Sequence, residues 1–108
     1  MGGWTKLDIA LCKKELKNFL DGEGRLKAYP SRFKLKVAAL FYLAANFEFG
    51  RRYTESEVNQ ILQNHHTFED WAILRRELFD RGFMDREKDC SAYWLEGNQP
   101  TLETFGLD

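Results

Sequence analysis

The sequence predicts a mainly α fold with a small β-hairpin (α+β), a winged helix-turn-helix preceded by an extra N-terminal helix. Three observations carry this. Apolar residues recur at helical spacing in four segments. The last two of those segments are only a few residues apart, as in a helix-turn-helix. Two short strand-like stretches then flank a polar turn, the pattern of a wing.

The elements follow in order. Thr5 with Asp8 resembles a capping box, and Ile9, Cys12, Leu16, Phe19 and Leu20 form one stripe, which predicts a helix over 5–20. DGEG at 21–24 ends it with turn chemistry. Pro30 and Ser31 mark the next start, and 33–47 is apolar nearly all round, which predicts a helix surrounded by other elements. RRY at 51–53 reads as a minor edge strand. Thr54 and Glu57 form a T-x-x-E box leading into Val58, Ile61 and Leu62. NHH at 64–66 breaks the period. Thr67 with Asp70 opens the last helix, 67–81, which points Phe68, Trp71, Leu74, Leu78 and Phe79 inward and stops near Gly82. Strands at 83–87 and 92–95 flank KDCS. One domain over 1–108 results: a helix at 5–20, the winged-helix part at 31–96, and an unassigned tail at 97–108.

Composition narrows the function. A chain of 108 residues with 44% apolar content builds one core, and a net charge of −1 excludes a histone-like polycation. Cys12 and Cys90 fit no disulfide framework or zinc spacing and read as free thiols of a reducing cytosol. The N-terminus lacks a signal-peptide pattern, Lys6 breaks the myristoylation pattern, and no stretch approaches a membrane span, so a cytoplasmic protein is expected. His65 and His66 are adjacent, hence about 100° apart on a helix, with no third ligand evident. No phosphate loop or nucleophile motif occurs. The expectation is a non-catalytic domain without cofactor or metal.

GRLKAYP at 24–30, RRYTESEVNQIL at 51–62 and LRRELFDRGFMDREKDCSAYW at 74–94 resemble the bacterial family named domain of unknown function two-thousand-eighty-seven. The resemblance runs in register from about residue 18 to 95. It implies a winged-helix-like domain, found alone or fused to helix-turn-helix transcriptional regulators. The chain departs from the family pattern at Cys90, where the wing turn usually carries Gly.

A DNA-reading helix needs a basic outer face, because phosphate attraction supplies much of DNA affinity. On a helical wheel of 67–81, Leu74, Leu78, Trp71, Phe68, Phe79 and Ala72 share the inner arc, with Arg75 among them. Arg76, Glu69, Asp80, Ile73, Glu77, Asp70 and Arg81 form the outer arc, with two bases against four acids. Arg75 is expected in a structural ion pair with Glu57 or Glu55, since a buried guanidinium must be paired. Ile73, apolar on a charged face, suggests contact with a partner.

The positive charge lies elsewhere. Residues 24–52 hold seven bases and one acid, whereas 53–108 hold five bases and twelve acids. Arg25, Lys27, Arg32, Lys34 and Lys36 surround the start of the second helix, where the macrodipole favours anions, with Tyr29 between them and Arg51 and Arg52 at the segment's end. Any nucleic-acid or anion contact is therefore expected through 24–52. The alternative is a protein-interaction or oligomerisation module that never binds DNA.

Overall fold

The computed structural model describes residues 6–101. The elements are α1 (Lys6–Glu15), a short 3-10 turn (Lys17–Phe19), α2 (Phe33–Ala44), α3 (Glu55–Gln63), α4 (Trp71–Asp80), β1 (Met84–Arg86) and β2 (Tyr93–Leu95). This is the mainly α architecture with a terminal hairpin that the sequence predicts.

Helix α2 is the centre of the molecule. Its residues Val37 to Phe41, with Leu43 and Ala44, are buried, and α1, α3, α4, the hairpin and the connecting segments supply the rest of the core. Phe41 meets Phe83 edge to face at 4.8 Å, a ring geometry that adds to plain area burial. Cys12 and Leu16 attach α1 to the same core.

The hairpin is antiparallel, with Met84 opposite Leu95 and Arg86 opposite Tyr93. Tyr53 pairs with Tyr93 through reciprocal N–H to carbonyl bonds, both 2.8 Å, so the predicted edge strand contributes a single bridging residue. Tyr53 is held there by its ring contact with Phe47 at 5.1 Å and by accepting the Glu48 N–H on its hydroxyl.

Helix ends follow local chemistry. The Thr54–Glu57 capping box forms as predicted, each side chain accepting from the other residue's N–H. At the end of α4, Gly82 takes φ +84°, its N–H donates to Phe79 and that of Phe83 to Leu78. These two bonds close a Schellman motif, which needs the left-handed residue that Gly supplies.

Three helix boundaries differ by three residues or more from the sequence expectation, and both strands are shorter than expected. The first helix stops at Glu15 and tightens into the 3-10 turn before the DGEG loop, and Thr5 lies outside the described residues. The second helix ends at Ala44 rather than 47. The last helix begins at Trp71 because Glu69 takes φ +53°, which prevents helix from starting earlier; Asp70 is the cap and accepts from Ile73 N–H at 3.3 Å. The 64–66 break has a structural role: Leu26 N–H donates to His65 and Thr67 N–H to Leu26, fastening the α3–α4 turn to the loop after α1. Among the described residues no helix is long and apolar enough to cross a membrane.

Candidate functional site

The outer surface of α4 is narrower than the wheel suggests. Ala72, placed on the inner arc, is exposed, whereas Glu77 and Arg81 turn away from water toward the start of α2. Glu77 accepts from Tyr29 Oη at 2.8 Å and from Arg81 Nε at 3.1 Å, and the Arg81 guanidinium lies 5.1 Å from the centre of the Phe33 ring. Burial works to raise the Glu77 carboxyl, but the Tyr29 and Arg81 hydrogen bonds outweigh it and hold the group below its ordinary value. The same site raises the Tyr29 phenol, through burial first and the Glu77 carboxylate second.

What remains exposed around α4 is Glu69, Asp70, Ala72, Ile73, Arg76 and Asp80. That is one base against three acids, and the base is itself 3.5 Å from Asp80. Ile73 is 40% exposed in this setting, a large apolar side chain on a charged face. The hairpin tip continues the sign: Glu87, Lys88 and Asp89 are all exposed. Asp89 is held below the usual carboxylate range by hydrogen bonds from Ser91.

Arg75 lies along the seam as predicted, with its side chain 20% exposed. Its partner is Glu55 at 3.7 Å, joined by a hydrogen bond to Asn59. Glu57, the other candidate, is not the partner because its carboxylate is engaged by the Thr54 N–H. Tyr93 also donates to Glu55, at 3.0 Å, so Glu55 links α3, α4 and the hairpin.

The basic segment does not assemble into one patch. Arg32, Lys34 and Lys36 surround the first turn of α2, whereas Arg51 and Arg52 follow its last turn; a 12-residue helix separates them by roughly 18 Å. Arg51 pairs with Glu48 at 3.0 Å, and Arg52 pairs with Glu87 at 3.3 Å while covering the Trp94 ring. Arg25 folds back on Asp21 at 2.9 Å. Lys34 reaches Glu15 of α1 at 3.8 Å. Tyr29 is not free to stack on a base: Lys36 lies over its ring at 5.7 Å and its hydroxyl is bound to Glu77. The first turn of α2 carries neither an acid nor a side-chain cap, so the conflict with the macrodipole is real. Glu15 and Glu77, brought from α1 and α4, relieve part of it from within the chain.

Two features escaped the sequence. His66 is buried and joins the helices of the turn: its Nδ1 donates to the Leu62 carbonyl, and its Nε2 accepts the Asp70 N–H at 3.0 Å. The break in period at NHH was the only sign of it. The second is a contact between Arg86 and the Cys90 sulfur across the hairpin turn, where Cys90 adopts φ +63°. Cys12, by contrast, is buried and its thiol is pushed up to about 12 by burial, with Asp8 and Glu15 adding to the effect, so it is an inert core group. Among the described residues, no group of three His, Cys, Asp or Glu side chains is placed to hold a metal.

Neither a curated protein nor a solved structure matches the chain. The family described as "Uncharacterized protein conserved in bacteria (DUF2087)" matches residues 25–95. That span covers α2, α3, α4 and the hairpin, and the chain belongs to this family.

Proposed function

We propose that this chain is a non-catalytic winged-helix module of bacterial transcriptional regulation that acts through a protein contact, with a partner or a second copy, and does not read DNA with α4. The observation that carries this reading is the charge around α4 and the hairpin tip. The exposed groups are mostly acids, and each arginine of the helix has a carboxylate within 4 Å. Pairs of this kind contribute little stability where exposed, but they leave the outer face of α4 without net positive charge to attract phosphates. Ile73, with Ala72 beside it, gives that face an apolar centre suited to another chain.

A second reading has one observation in its favour. Arg32 and Lys27 are exposed and make no ion pair among the described residues, beside a helix start without cap or acid. Weak nucleic-acid contact would run through that end of α2.

Titration of random duplex DNA at low and moderate salt separates the two, with Lys34→Glu/Lys36→Glu measured beside the unmodified protein and light scattering on the same samples. The proposal expects no binding at low salt. Salt-sensitive binding abolished in the double variant overturns it in favour of the α2 contact.

A further inference from the structure

A cleft of about 390 Å³ opens between the first turn of α3, helix α4 and the hairpin. Arg75, Arg76 and Arg86 line it, against Glu55 and Asp80. Two of the arginines have carboxylate partners: Arg75 is held by Glu55, and Arg76 by Asp80. Arg86 has none among the described residues. Its side chain donates only to the Cys90 sulfur, a weak acceptor, and its guanidinium lies over the Phe79 ring at 4.3 Å. The cleft thus carries one uncompensated positive charge, on a group that cannot shed its proton.

The chemistry of that charge selects a ligand class. A guanidinium is planar and prefers an acceptor offering two oxygens in its own plane. Stacking on Phe79 and the sulfur contact fix the plane in advance, which lowers the ordering cost of binding. A single negative charge balances the cleft. A phosphate, which carries between one and two negative charges at neutral pH, would leave an excess of negative charge beside Glu55 and Asp80. The aromatic wall favours an apolar body behind the head group. We propose that this cleft binds a small organic carboxylate, anchored on Arg86. Carboxylate binding in this cleft does not depend on whether the chain contacts DNA or protein through its outer faces.

The test uses the full chain labelled with ¹⁵N, following the arginine Nε–H resonances while sodium benzoate or, separately, sodium phosphate is added at constant ionic strength. The expected result is a saturable shift of the Arg86 signal with benzoate. Affinity falls at least about tenfold in Arg86→Gln, the loss expected for a charge-assisted hydrogen bond, and less in Arg86→Lys, which keeps charge without the fork. Cys90→Ser, which keeps an acceptor beside Arg86, retains binding. Circular dichroism establishes that each variant is folded, and if Arg86→Gln is not, the Arg86 resonance and the lysine variant decide. An unmoved Arg86 signal, unchanged affinity in the folded Arg86 variants, or tighter binding of phosphate than of benzoate overturns the proposal.

Discussion

Cys90 is a residue at which local conformation and side chain disagree. At φ +63° it occupies the left-handed region, which costs a residue bearing a Cβ about 1–2 kcal/mol relative to glycine. Part of that is offset because glycine loses more freedom on folding. Cys90→Gly is therefore expected to raise unfolding stability by about 0.5–1 kcal/mol, read from urea denaturation; a loss of more than 1 kcal/mol would mean that the Arg86–sulfur contact outweighs the strain. His66 is the opposite case, a buried polar ring whose two nitrogens are both satisfied. His66→Ala is expected to cost about 2–4 kcal/mol, since it opens a cavity and strands the Asp70 N–H, while the Leu62 carbonyl keeps the His65 N–H at 3.0 Å. The sequence could not assign His66, because both of its partners depend on where the turn places the ring. Arg75 was legible as a paired seam residue, since its position follows from helical period alone. Its partner was not, because Glu55 and Glu57 differ only in which one the cap engages.

At the scale of elements, what could be read was what is encoded within a few residues. The capping box at Thr54, the stop at Gly82 and the all-round apolar α2 are short-range patterns, and each forms as the sequence predicts. The start of α4 was misplaced because Glu69 adopts a positive φ that no short-range pattern signals. The contact of α4 with the start of α2 was equally hidden: Tyr29, Glu77 and Arg81 are far apart in sequence, and Glu77 was assigned to the outer arc. Glu77→Gln is expected to cost about 1 kcal/mol by weakening the bonds to Tyr29 and Arg81. The folded-state Glu77 carboxyl lies below its ordinary value, so its contribution is present in full above about pH 5 and is lost as the pH falls through the lowered value. The glutamine variant should thus lose the most ground to the unmodified protein near neutral pH and converge with it in acid. A difference that grows on acidification would contradict the direction assigned to Glu77.

Over the whole molecule, charge that is segregated along the chain is interleaved in space. The basic stretch 24–52 and the acidic 53–108 meet at Arg52–Glu87 and at Tyr29, Lys36 and Glu77, while Lys34 reaches back to Glu15. A sum over sequence segments cannot show this, because it discards which faces the fold brings together. It is also why the expected basic surface divides into two ends of α2 rather than one platform. The family assignment and the helix order were readable, since both rest on linear pattern; the distribution of potential was not. On the reading proposed above, the outer surface of α4 and the hairpin tip attracts no phosphates. The most direct test is the slope of log affinity for random duplex DNA against log salt concentration, compared between the unmodified chain and Arg76→Ala. No measurable slope is expected in either, and a steep negative slope, corresponding to several neutralised phosphates and flattened by Arg76→Ala, would overturn this reading of the surface.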